Sequence, residues 1–204
     1  MPGGVGAHKR IFDSAIEKTQ LPSSRNDIAV FLLKLMESCE KQAKDATPGM
    51  LGRYKGDWFE WGIAKCIEMA FGRNSYQTKE DIKLKDIDGF EFEEWIPCPD
   101  IIVKDTHHLK AVISAKWGLR PDRRYEEPFV GMEMKRIEPS VKYLVVTNDA
   151  SPQNIQMLVD SKGGVDRVYH LEHEKIAPKI KGRLYSFADL IDDLGTLLDI
   201  KPKI

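Results

Sequence analysis

The stretch "WIPCPDIIVKDTHHLKAVISAKWGLRPDRRYEEP", residues 95–128, decides how the chain is read. It holds two β-branched runs, "DIIV" and "KAVIS", separated by the polar letters "KDTHH". Apolar runs of this kind read as buried strands, and a short polar spacer between them reads as a hairpin. Each run carries a charge at its outer end, Asp100 before the first and Lys116 just after the second. In an antiparallel hairpin those two ends lie side by side. The spacing therefore brings an acid and a lysine to one sheet edge. The alternative is that both charges only cap their strands. A dense polar string, "RPDRR", follows directly.

The flanking sequence gives the hairpin its setting. Apolar residues at 11, 12, 15 and 16 predict a first helix over "KRIFDSAIEKT". "SSRNDIAVFLLKLMESCEKQAKDA" opens on cap residues and predicts a second. "TPGMLGRYKG" reads as a break, with a third helix from Asp57 to Phe71 closed by Gly72. Then the period changes. "DIKLKDI" and "FEFEEW" alternate around an Asp-Gly turn at 88–89, which predicts a further hairpin. "KYLVVTND" reads as a strand, and "SPQNIQMLVDSKGG" as a helix with Ser151 as cap and Pro152 in its first turn. "VDRVYHL" reads as a short strand, and "SFADLIDDLGTLLDI" as a C-terminal amphipathic helix. The order is helices, then mainly antiparallel strands, then βαβα. That predicts an α/β (α+β) fold with a central mixed sheet flanked by helices. One domain over 1–204 is expected, with 1–52 as a helical N-terminal part and 53–204 as the core.

Composition narrows the function classes. A chain of 204 residues buries a core without disulfides or a structural metal. No apolar run reaches a membrane span, and "MPGGVGAHKRIFD" has no apolar signal region, so no membrane partner and a cytoplasmic location are expected. The three cysteines are odd in number and scattered, which suits a reducing compartment; Cys66 and Cys98 read as small buried hydrophobes. His107 and His108 read as an exposed turn, with no zinc-like spacing. The net charge is −1, so any DNA-binding surface must be concentrated in a cleft.

An acid and a lysine at one edge suit metal-dependent phosphodiester hydrolysis. Mg²⁺ takes carboxylate oxygens, and a lysine stabilises charge on the phosphate. Pro99-Asp100, a hairpin, and then Ser114-Ala115-Lys116 resemble the signature of the PD-(D/E)xK nuclease superfamily. The usual acid two residues before the lysine is replaced by Ser114. The run from Ser114 to Arg123 resembles the S-x-K-W-x-[IL]-R-x-D-R segment of one branch, the type II restriction endonucleases that cut sites with a CCGG core.

That resemblance implies a restriction-endonuclease-like sheet and an Mg²⁺ cofactor. It implies Asp100 as metal ligand and Lys116 as catalytic lysine. Arg120, Asp122 and Arg123, with Arg124 beside them, would contact DNA. Arginine forks onto guanine O6 and N7, and a carboxylate accepts from cytosine N4, so the string suits G·C pairs. The displaced acid is expected on the helix that follows: Glu127 first, as catalytic residue and metal ligand, then Glu126, with Glu133 behind. The gap from Arg123 is shorter than the branch's pattern. Glu60, on the third helix, either approaches the metal site or lies at a solvated helix edge. The four tryptophans read as core or cleft wall rather than as a stacking platform. The implied partners are double-stranded DNA, a second copy of the chain in a homodimer (a tetramer of two such dimers being the higher state), and a separate methyltransferase. A structure-selective repair or junction nuclease and a non-catalytic DNA-binding module are the competing readings.

Overall fold

Ile101–Lys104 (β2) and Leu109–Lys116 (β3) form the expected antiparallel hairpin, with Ile101 opposite Ile113 and Val103 opposite Ala111. Asp105 shapes the turn. Its side chain accepts from His108 N–H at 2.7 Å, and its own N–H donates to the His108 carbonyl at 3.1 Å. These coordinates are a computed structural model that describes residues 5–78, 99–105, 108–120, 125–161 and 163–204. The strands expected in 81–95, with their Asp-Gly turn, lie outside the described residues, as do Cys98 and His107.

The sheet grows outward from the hairpin. Tyr76–Thr78 (β1) pairs antiparallel with β2. Lys142–Thr147 (β4) lies parallel to β3, Arg167–His170 (β5) parallel to β4, and Tyr185–Ser186 (β6) parallel to β5. Among the described residues this gives a six-stranded mixed sheet in which strand order follows chain order. Parallel neighbours require crossovers. Glu126–Ile137 (α4) joins β3 to β4, Pro152–Asp160 (α5) joins β4 to β5, and the short His173–Ile176 (α6) precedes β6. Ser151 caps α5 as expected, its side chain accepting from Asn154 N–H. The one-turn α6 and the two-residue β6 are too short to leave a periodic signal in the sequence.

Alternation along the strands divides the core in two. Ile101, Val103, Ala111, Ile113 and Ala115 face a layer built from Val5–Lys18 (α1), Ile28–Gln42 (α2), Pro48–Phe71 (α3) and Phe187–Leu198 (α7). Ile102, Val112, Tyr143 and Val145 face α4 and α5, through Val130, Met134, Ile155 and Leu158. The result is three layers, helix–sheet–helix.

One expectation is corrected. "TPGMLGRYKG" is not a break; from Pro48 on it is the first part of α3, which runs 24 residues from Pro48 to Phe71. Thr47 caps this helix, its hydroxyl accepting from Met50 N–H, and Pro48 takes the first turn, where a missing N–H costs nothing. Gly49, Gly52 and Gly56 face open space, so each costs the helix only about 1 kcal/mol relative to alanine. Gly72 ends α3 as expected, with φ at +92°. Cys39 and Cys66 are buried free thiols, and burial pushes the Cys39 thiol up to about 12. Among the described residues no helix is long and apolar enough to cross a membrane.

Candidate active site

Asp100 precedes β2, and Lys116 is the last residue of β3. Because the strands run antiparallel, their side chains meet: Lys116 Nζ lies 3.0 Å from Asp100 Oδ2. That oxygen also accepts from the Ala115 N–H at 2.8 Å and the Ser114 hydroxyl at 3.4 Å. Asp100 is thus pinned by three groups from one strand end. Ser114 stands where an acid is usual, and here it supports Asp100.

Alternation puts Ser114 and Lys116 on the face of β3 that carries Val112, toward α4. Glu127 enters from the first turn of α4, where the helix N-terminus favours a carboxylate. Its Oε1 lies 3.5 Å from Lys116 Nζ. Its Oε2 accepts from the Tyr143 hydroxyl at 2.7 Å. Two carboxylates from separate elements therefore converge on one ammonium. Glu126 is half-buried on the same turn and lines, with Lys116, Arg120 and Glu127, a pocket of about 130 Å³. A larger open hollow, about 740 Å³, lies between Pro128 and α5 and includes none of Asp100, Lys116 or Glu127.

Electrostatics follow from this packing. Burial disfavours the Lys116 charge, but the carboxylates of Asp100 and then Glu127 outweigh it and hold the ammonium above its ordinary value. Burial, reinforced by the Glu127 charge and hydrogen bond, pushes the Tyr143 phenol well up. At neutral pH Lys116 is a cation and Tyr143 a donor.

The donor set fits a hard cation. Mg²⁺ binds through one or two carboxylates and keeps several waters, and Asp100 and Glu127 offer two carboxylates at one point. Among the described residues no trio of His, Cys, Asp or Glu side chains is arranged to hold a metal.

The other expected residues fall as follows. Glu60 is buried on α3 at 2% exposure, so the solvated-edge alternative does not hold. It follows Phe59, whose ring packs edge-on against Trp117 at 5.4 Å, next to Lys116. Arg120 is exposed and lines the same pocket as Lys116. Asp122, Arg123 and Arg124 lie outside the described residues, as does Trp95. Trp58 and Trp61 are core, and Trp117 packs on it, in keeping with core or cleft wall. Glu133 pairs with Arg136 instead of joining the cluster. Tyr143 was not anticipated. Its parity in "KYLVVTND" places it on the face of Ser114, but nothing local says that α4 covers that face.

No family model matches the sequence, and no curated protein matches it. Solved structures do. One is the restriction endonuclease PspGI in complex with substrate DNA, at 15% identity, covering 94% of this chain and 93% of that one, with a TM-score of 0.61. Another is the type IIF restriction endonuclease Bse634I with cognate DNA, at 15% identity, covering 92% of each chain, with a TM-score of 0.50. Identities this low speak to architecture, and the near-complete coverage of both chains with a TM-score of 0.61 carries it: the chain has the fold of the type II restriction endonucleases.

Proposed function

We propose that this chain is a Mg²⁺-dependent type II restriction endonuclease that hydrolyses double-stranded DNA at a palindromic site with a CCGG core. The observation that carries the reading is the meeting of Asp100, Glu127 and Lys116 at one strand end, at 3.0 and 3.5 Å. That two solved structures of this fold hold DNA supports the choice of substrate.

Asp100 and Glu127 would hold the ion. When bound, Mg²⁺ lowers the pKa of water and offsets charge on the phosphate. Hydrolysis joins a water oxygen to phosphorus and breaks one P–O ester bond. Lys116, within 3.5 Å of both carboxylates, would stand as a cation beside the charge that grows on the phosphate oxygens. Tyr143 keeps Glu127 turned toward Lys116, and Ser114 with the Ala115 N–H keeps Asp100 in place. Arg120 opens the R-x-D-R string that would fork onto guanine, four residues from Lys116.

The remaining parts of the proposal follow from the substrate. A two-fold site calls for a homodimer, or a tetramer of two such dimers. The separate methyltransferase and a cytoplasmic location belong to the same restriction–modification reading. A plasmid digest with Mg²⁺, followed by sequencing of the ends, tests it. Discrete fragments ending in or beside CCGG are expected. Binding without cutting would support the DNA-binding module, and cutting confined to branched substrates the repair nuclease.

A further inference from the structure

The loop that leaves β3 is gripped by side chains of the β4–α5 connection. Asp149 is buried, at 9% exposure. Its Oδ2 accepts from the Leu119 N–H, and its Oδ1 accepts from the Ser151 N–H at 2.6 Å. Asn154, in the first turn of α5, donates from Nδ2 to the Leu119 carbonyl at 3.1 Å. The Asn148 N–H donates to the Lys116 carbonyl at 3.4 Å. Residue 119 is therefore held at both its N–H and its carbonyl, and the chain is tied again at Lys116. Asp149 is itself fixed: its N–H donates to Thr147 Oγ1 at 3.0 Å, and its carbonyl faces His170 Nε2 at 2.9 Å.

This grip falls between Lys116 and Arg120. The proposed chemistry gives Asp149 no task, yet burying a carboxylate is costly unless its bonds are needed. Here both oxygens serve backbone N–H groups, and one reaches back thirty residues to the loop. Bonds between a carboxylate and N–H groups are the strong kind, suited to fixing a peptide.

We propose that Asp149 and Asn154 are positioning residues that set where Arg120 stands relative to Lys116, so that reading a base pair and cutting share one geometry. The inference rests on the endonuclease reading above. Its role is in specificity: a loosened loop would still carry the charge of Arg120 to DNA, but not at a fixed depth and angle.

The test uses the full chain carrying Lys116→Ala, so that binding is read in Mg²⁺ without cutting. Two duplexes are compared: the site found by sequencing the parent's digest ends, and the same duplex with one core base pair changed. Asp149→Asn keeps the shape but turns an NH₂ toward one of the two N–H groups. Asn154→Ala removes only the donor to Leu119. Each is expected to lower the affinity ratio between the duplexes on the order of tenfold, with affinity for the changed duplex little altered; Asp149→Asn also lowers the melting temperature, whereas Asn154→Ala changes it little. The same changes in the cutting-competent chain should slow single-turnover cleavage of the site. Ratios and rates unchanged from the parent in both variants would overturn the proposal. If Asp149→Asn fails to fold, Asn154→Ala decides. A parent that cuts no DNA in Mg²⁺ sinks the endonuclease reading; a cutting parent with unmoved ratios sinks only the grip.

Discussion

At Lys116, one ammonium balances two carboxylates that come from different parts of the chain. Lys116→Ala and Asp100→Ala are each expected to abolish cleavage while leaving site-specific binding largely intact, as gel-shift and digest assays on one preparation would show. Arg120→Ala should do the reverse, costing recognition by roughly 1–3 kcal/mol at the base it reads; normal-rate cutting at the same site would remove Arg120 from the reader. Tyr143→Phe takes away the donor to Glu127 and leaves the carboxylate free to turn. It should raise the Mg²⁺ concentration needed for half-maximal cutting and cost about 1–3 kcal/mol of stability for the lost buried bond. At this scale the sequence was informative where chemistry is local. Asp100, Ser114 and Lys116 lie on one hairpin, so turn letters and alternation suffice to join them. Glu127 could be ranked ahead of Glu126 and Glu133 but not separated from them, because which one faces Lys116 depends on how α4 is rotated. Tyr143, Asp149 and Asn154 act across elements, and no local pattern links them to the residues they hold.

Among the elements, α4 matters most, since it carries Glu127. Its rear is seated by close backbone contact: a Cβ on Gly131 would come 2.2 Å from the Gly164 carbonyl, and one on Gly164 would come 2.3 Å from the Pro128 carbonyl. Lys135 adds bonds to Asp166 at 2.9 Å and to the Gly163 carbonyl at 3.1 Å. Gly131→Ala must push the helix off this seat. The expected cost is about 1–3 kcal/mol in urea unfolding, with a fall in cutting rate as Glu127 moves away from Lys116. On the neighbouring β5, His170 is buried, its Nδ1 accepting from the Glu172 N–H at 3.0 Å. That bond requires the neutral ring, and Nε2 then donates to the Asp149 carbonyl. Burial lowers its pKa; the Asp149 bond and the Glu172 and Asp149 charges oppose this, and His173 adds to it. The folded value thus lies below the unfolded one of about 6.5, and the unfolded chain takes the proton first. Stability from this group is complete above that pH and is lost as pH falls through the folded value. Urea midpoints at pH 7.5 and 5.5 should differ less in His170→Gln than in the parent. The elements themselves were mostly legible: capped helices such as α5 and α7 and the β-branched strands announce themselves. The start of α3 was not, because glycines on an open face look the same in sequence whether they break a helix or merely burden it.

For the whole molecule, the two helical layers do different work. α4 and α5 carry or brace the candidate site, while α1, α2, α3 and α7 close the opposite face with large apolar side chains. Leu194→Ala, in the middle of α7 and fully buried, is expected to cost about 2–5 kcal/mol of stability without touching the chemistry. Circular dichroism melts and cleavage at low temperature would separate the two effects. The layered α/β class was readable from element order, since alternating strands and helices leave few ways to cover both faces of a sheet. The pairing of helices with faces was not, because an amphipathic stripe says that something is covered and not by what. Strand order that follows chain order has a consequence for biosynthesis. Among the described residues each new strand meets its neighbour already made, so the sheet extends along its edge as the ribosome delivers it. Residues 100 to 143, which include the cluster around Lys116, leave the ribosome together. Of the helices on the opposite face, α1, α2 and α3 are made before the sheet and α7 after it, so the strands that carry Asp100 and Lys116 pair before that layer receives its last member.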